Sequence, residues 1–149
     1  ALFGTDEGAE RVVKNVRAVC EANPALEFIV QRNAQTRALW ERLAPAPPRN
    51  LSFLYDESMG FGASPESWPA PERARDGAAP LFGYAGGLSP ANIIEQLDAM
   101  VASSTGLPFW IDMESSLRTE LADGSDAFDV NKASQCIARL VLAGVAPSV

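Results

Sequence analysis

Leu81-Phe82-Gly83-Tyr84-Ala85-Gly86-Gly87-Leu88-Ser89-Pro90-Ala91-Asn92-Ile93-Ile94-Glu95 runs from a short apolar strand, through a Gly-Gly pair, into a helix. Ser is a favoured N-cap and Pro is favoured at the first helical position, so the helix is predicted to open at Ser89-Pro90. Glycines just ahead of a helix let backbone approach a ligand closely. The free N–H groups and the positive end of the helix dipole then face an anion, typically a phosphate. The same two glycines also suit a plain strand-to-helix turn, where they only relieve crowding.

Working outward, the same alternation repeats. Residues 10–22 read as a helix with Val12, Val13, Val16, Val19 and Cys20 on one stripe. Asn23-Pro24 stops it, and residues 26–32 form a strand rich in β-branched and aromatic side chains. A short helix over 35–43 carries Leu39, Trp40 and Leu43, and prolines 45, 47 and 48 break the chain before a strand at 51–56. Residues 57–80 are a long Pro- and Gly-rich loop, a length usually reserved for function. After the strand at 82–85 comes a helix over 90–103, burying Ile93, Ile94, Leu97, Met100 and Val101, and then a strand at 109–113. A polar loop leads to a helix over 130–142, capped by Asp129 and burying Ala133, Cys136, Ile137, Leu140 and Val141.

Strands separated by one helix each are parallel and joined by right-handed crossovers. Short apolar strands of this kind are covered by helices, so the fold class is α/β. An open doubly wound sheet and a (β/α)8 TIM-type barrel both remain open at this point. Both place the ligand at the carboxyl ends of the strands.

Bulk properties narrow the function classes. The 149 residues suffice for one domain with a core, and 47% hydrophobic against 21% charged residues is a globular balance. A net charge of −7 with no basic stripe disfavours nucleic acid as a partner. No apolar run is long enough to cross a bilayer and no signal pattern opens the chain, so the expectation is a cytoplasmic protein with no membrane partner. Cys20 and Cys136 fall on apolar helix faces and are read as reduced core thiols. With no histidine, Ser-His-Asp and Cys-His mechanisms are excluded within this chain, and acid-base work falls to carboxylates, Cys, Lys or Tyr. Ala1-Leu2-Phe3-Gly4 carries no initiator Met and runs abruptly towards a helix, as a fragment or processed product would.

Alternation along the strands then sorts the polar side chains. Phe28 and Val30 oppose Ile29 and Gln31; Phe53 and Tyr55 oppose Ser52, Leu54 and Asp56; Phe109, Ile111 and Met113 oppose Trp110, Asp112 and Glu114. With the apolar set on the helices, Gln31, Asp56, Asp112 and Glu114 all point inward near the mouth. Three carboxylates in one cleft repel each other, and at least one pKa rises into the range of a general acid. Pairing with Arg32, Arg118 or backbone N–H groups would make the same residues structural. As a hard-metal ligand set, Asp56, Asp112 and Glu114 are a third reading. Gly60 and Gly62 suit a loop lying over a ligand, and Ser115-Ser116 adds hydroxyls and N–H groups beside Gly86-Gly87.

These four strands in order resemble the C-terminal half of phosphoribosylanthranilate isomerase, a (β/α)8 barrel of tryptophan biosynthesis. In that family the sixth strand ends in Leu-Asp before a Gly-rich loop leading to a Trp; here Tyr55-Asp56 precedes Gly60, Gly62 and Trp68. Its seventh strand ends in Gly-Gly-Leu followed by Pro, any residue and Asn, and Gly86-Gly87-Leu88-Ser89-Pro90-Ala91-Asn92 is similar. Its eighth strand carries Val-Asp-Val-Ser-Ser-Gly-Val-Glu, against Ile111-Asp112-Met113-Glu114-Ser115-Ser116-Leu117-Arg118. The likeness covers about residues 26–142 and half of the family's barrel.

The resemblance implies an Amadori aldose–ketose isomerisation of a small phosphorylated substrate, without a cofactor. Asp56 is then the general acid protonating the ribosyl ring oxygen. Gly86, Gly87, Ser115 and Ser116 hold the phosphate, and Asp112 orients the ribose or the substrate amine. The departures are specific. The family's general base is a Cys after its first strand, which has no counterpart here, and neither Cys20 nor Cys136 is placed to replace it. Glu114 stands for a Ser, Ser116 for a Gly, and Arg118 for a Glu, with Arg118 able to offset Glu114. The alternative is therefore a divergent phosphate-ligand-binding barrel without turnover. Either way, closing the barrel calls for the missing N-terminal half or for a second copy of the chain as a homodimer partner.

Overall fold

The computed structural model describes residues 5–58 and 64–145. Gly60 and Gly62 lie outside the described residues. Helix α1 (Asp6–Ala22) leads into strand β1 (Phe28–Arg32), helix α2 (Arg37–Leu43) and strand β2 (Leu51–Tyr55). Strand β3 (Phe82–Tyr84), helix α3 (Ile93–Ser104) and strand β4 (Phe109–Ile111) follow. A single 3-10 turn (Ser115–Leu117), strands β5 (Arg118–Glu120) and β6 (Asp126–Phe128), and helix α4 (Val130–Leu142) end the described chain.

The four long-range strands form one parallel sheet in sequential order, β1-β2-β3-β4. The α/β class read from the sequence is what the molecule adopts. Register sets Val30 beside Phe53, Phe53 beside Phe82 and Phe82 beside Phe109, so one face of the sheet is a continuous apolar floor. Val13 and Cys20 of α1, Leu39 and Leu43 of α2, and Ile93 and Met100 of α3 pack on that floor. Every helix contributing to this core lies on the same face. The other face holds Ile29, Gln31, Leu54, Gly83 and Trp110, with Ile29 54% exposed. The Trp110 indole lies flat over Gly83, so closely that a Cβ there would sit 2.4 Å from the ring. Only glycine fits under that indole.

Between β2 and β3 the loop read at 57–80 has neither helix nor strand among its described residues. The segment after residue 63 crosses the helix-side face as an irregular strap. Trp68 fills the position a helix would occupy: it is buried, meets Tyr84 edge-on at 5.4 Å and Tyr55 at 6.0 Å, and donates its indole N–H to Gln96 Oε1 at 2.9 Å. The Tyr84 hydroxyl donates to the Pro69 carbonyl at 2.8 Å. Arg32 anchors the strap further on, with Nη2 3.1 Å from Glu72 and its guanidinium stacked 4.5 Å over Trp40. Its Nη1 is buried without a hydrogen-bond partner among the described residues, and the Trp40 ring face supplies the compensating attraction.

Other boundaries differ from the sequence reading for local reasons. Helix α1 starts at Asp6, because the Thr5 hydroxyl accepts from Gly8 N–H and closes the first turn. Helix α3 starts at Ile93, not at Ser89-Pro90. Asn92 Oδ1 accepts from the Ser89 N–H at 2.8 Å and from its hydroxyl at 3.1 Å, while Asn92 Nδ2 donates to the Gly87 carbonyl at 2.9 Å. These local bonds hold residues 89–92 as a separate turn. Residues 118–128, read as a polar loop, are an antiparallel hairpin. Helix α4 begins at Val130 as read, capped by Asp129, which accepts from Asn131 and Lys132 N–H groups. Its apolar stripe is not buried as expected: Cys136 is covered, but Ile137 and Val141 are 63% and 53% exposed. Val19 and Val101 are likewise about half exposed at 49% and 55%. No helix among the described residues is long and apolar enough to cross a membrane.

Candidate functional site

The ladder runs one residue past each strand, and this assembles the site. Asp56 N–H donates to the Arg32 carbonyl (3.2 Å), Ala85 N–H to Tyr55 (2.8 Å) and Asp112 N–H to Tyr84 (2.9 Å). Asp56, Ala85 and Asp112 therefore stand abreast at the carboxyl ends, with the parity of the helix-free face. The chain leaves β3 through Gly86 at φ 111° and Gly87 at φ 63°, a conformation that side chains disfavour. Turn geometry thus accounts for both glycines. It also leaves the N–H groups of Gly86, Gly87 and Leu88 with no hydrogen bond among the described residues.

Asp56 is held from two sides. Gln31 Nε2 donates to Oδ2 at 2.7 Å, and Ser58 donates to Oδ1 through its N–H at 3.0 Å and its hydroxyl at 2.6 Å. The Asx turn to Ser58 is legible in hindsight as Asp-x-Ser after a strand, and it is a contact the sequence reading passed over. Asp112 differs. Loss of solvation, then the charges of Glu114 and Asp56, push its pKa above the ordinary 3.8, although part of its side chain still meets solvent. A neutral carboxyl is favoured there more than at a free aspartate.

One cleft gathers Asp56, Ser58, Ala85, Gly86, Gly87, Leu88, Asp112, Met113, Glu114, Ser115 and Ser116. Its enclosed space is about 30 Å³, room for one or two waters. The cleft lies at the carboxyl ends of β2, β3 and β4. It contains no Lys or Arg. Among the described residues no three His, Cys, Asp or Glu side chains come together as a metal-holding group. Gln31 reaches the site only through Asp56. Arg118 does not line it: its guanidinium grips Asp126 across the β5–β6 hairpin, Nη2 to Oδ1 at 3.0 Å, while its charge still acts on Glu114. Cys20 and Cys136 are buried thiols on helices of the other face, both with pKa raised by burial.

The strap of residues 64–80 is mostly exposed and is pinned to the core by buried Trp68, Pro71 and Ala74. Only Ser64 touches the site, its hydroxyl 3.3 Å from the Gly87 carbonyl. A roomier hollow of about 640 Å³ lies between the loops at residues 45–49 and 74–81, and it contains none of the predicted site residues. The arrangement at the carboxyl ends can orient a polyhydroxylated ligand, receive oxygen atoms at the glycine turn and exchange a proton through Asp112. No protein family, curated protein or solved structure matches this chain.

Proposed function

We propose that this chain supplies four β/α units of a (β/α)8 barrel that isomerises a phosphorylated sugar derivative, with chemistry of the phosphoribosylanthranilate isomerase type. Sequential parallel order with all core helices on one face supports the barrel, since a doubly wound sheet reverses its order and is covered on both faces. The observation that carries the function is the convergence of Asp56, Asp112, the Gly86-Gly87 turn and Ser115-Ser116 on one cleft. The N–H groups at the glycine turn, unbonded among the described residues, and the serines receive the phosphate. A carboxylic acid then protonates the ring oxygen as the C–O bond breaks, and a base removes the proton from the neighbouring carbon to give the enol that becomes the ketose. Asp112, whose pKa is raised by lost solvation and by the charges of Glu114 and Asp56, is the proton donor at this cleft. The family resemblance gives that role to Asp56, here held by Gln31 and Ser58. Tryptophan biosynthesis and a cytoplasmic setting belong to the same proposal.

A second reading has one observation in its favour: both thiols are buried, so no Cys of this chain can act as the base. In that reading the cleft binds a phosphorylated ligand without turnover.

Amide-resolved NMR titration with inorganic phosphate, then with N-(5-phosphoribosyl)anthranilate, tests the binding. Shifts centred on Gly86, Gly87, Leu88, Ser115 and Ser116 are expected, and their absence refutes a phosphate site. In a barrel completed with the remaining four units, Asp112→Asn should cost about 10²–10⁴-fold in turnover and leave phosphate binding unchanged. If Asp56→Asn alone costs that much, the acid is Asp56. If the completed barrel binds but never turns over, the second reading stands.

A further inference from the structure

The hollow of about 640 Å³ lies at the opposite end of the sheet from the cleft. Glu27, Leu51 and Leu81 line it, and they stand at the amino ends of β1, β2 and β3. Sites for small organic ligands run from roughly 300 to 1,000 Å³, so the volume is of the right size. Its walls are apolar and stiff. Pro45, Pro47 and Pro48 come from the loop after α2, and Pro80 from the end of the strap. Each proline ring fixes its own φ, so little freedom is lost when a ligand is seated. Backbone bonds pin the two loops as well. Arg75 N–H donates to the Pro45 carbonyl at 2.9 Å and Leu51 N–H to the Pro48 carbonyl at 3.2 Å. Ala74 N–H closes the turn over 74–78 on the Ala78 carbonyl at 2.9 Å. The hollow therefore exists before any ligand enters.

Its charged side chains differ in what they already hold. Glu27 accepts from the buried Ser52 hydroxyl, and Asp76 accepts from the Ala78 N–H at 2.9 Å. Arg49 lines the hollow from one loop and Arg75 from the other. Among the described residues neither guanidinium forms an ion pair or a side-chain hydrogen bond, although the whole chain carries a net charge of −7. Two uncommitted guanidiniums beside an apolar floor suit a flat molecule with one carboxylate. The guanidinium fork matches a carboxylate through two parallel bonds, and the flat body rests on the proline rings. Glu27 and Asp76 bring the formal charge of the lining to zero, so a monoanion meets less repulsion here than a dianion such as a phosphate monoester.

We propose that this hollow is a binding site for a small aromatic carboxylate, held by Arg49 and Arg75 and separate from the cleft. It stands independently of the chemistry assigned to the cleft.

The test is an amide-resolved NMR titration of the intact chain with naphthoate. Saturable shifts are expected at Arg49, Leu51, Arg75, Ala78 and Leu81, with Gly86, Gly87 and Ser115 unmoved. The neutral amide of naphthoate and the dianion naphthyl phosphate should each bind about 10-fold more weakly. Arg49→Gln and Arg75→Gln should each weaken naphthoate about 10-fold without moving the melting temperature, since both side chains are exposed. Arg73→Gln changes an exposed arginine of the same strap outside the hollow and should leave binding unchanged. No saturation below about 10 mM naphthoate overturns the proposal. So does equal binding of the amide, tighter binding of naphthyl phosphate, or an equal loss from Arg73→Gln. Shifts centred on Gly86 and Gly87 instead would put the carboxylate in the cleft and overturn it too.

Discussion

Asp112 is the residue whose position and chemistry can be separated most cleanly. Its pKa lies above the ordinary 3.8 because solvation is lost and because Glu114 and Asp56 are negative. The folded state therefore holds the proton more tightly than the unfolded chain does. Stability is then unpenalised below the ordinary value and falls as pH rises through the folded value, the folded form binding more protons in that window. Asp112→Asn removes the penalty. At neutral pH the variant should melt about 1–2 °C higher than the parent, a small gain because the side chain is partly solvated and screened. Below pH 3.8 the two melting curves should coincide. Melting by circular dichroism at a series of pH values checks this, and a variant that melts lower at neutral pH would show the carboxylate to be stabilising. At this scale the sequence was informative: strand alternation alone placed Gln31, Asp56 and Asp112 on the helix-free face. The pairing of Arg118 with Asp126 spans a hairpin whose Asp123-Gly124 turn the sequence reading passed over.

Among the elements, the strap between β2 and β3 is the irregular loop that its composition announces, pinned by one large buried side chain. A run of prolines and glycines reads as a surface loop, since local propensity has no term for one side chain doing a helix's packing. Trp68 does that packing, between Tyr55 and Tyr84 and bonded to Gln96. Trp68→Ala should cost about 3–5 kcal/mol, the range for a buried aromatic truncated in place. Urea unfolding followed by circular dichroism measures it, and a loss below about 1 kcal/mol would mean that the strap is dispensable to the core. The order of elements and the four strands were legible, because apolar runs bounded by turn residues carry that signal directly. The start of α3 was not, because Ser89 is a good cap in isolation and loses that role to Asn92 only through bonds made in the folded turn. Nor was the exposure of Ile137 and Val141: amphipathic spacing marks an apolar stripe without saying whether anything in the same chain covers it.

For the whole molecule, a parallel sheet covered on one face and open at both edges has a stability gradient across it. Phe53 of β2 and Phe82 and Tyr84 of β3 are fully buried, whereas β4 is half-buried throughout and β1 alternates half-buried with exposed. Both central strands are paired on two sides. Their amides should exchange only through global unfolding. The solvent-facing amides of β1 and β4 have no second strand to bond and should exchange faster, by local opening. Hydrogen exchange of the isolated chain, read residue by residue, is expected to rank β2 and β3 above β1 and β4. Equal protection across all four strands would mean that the edges are already paired in solution. The same gradient separates the two aspartates: Asp56 follows a central strand and Asp112 an edge strand, so the amide of Asp112 should exchange faster than that of Asp56.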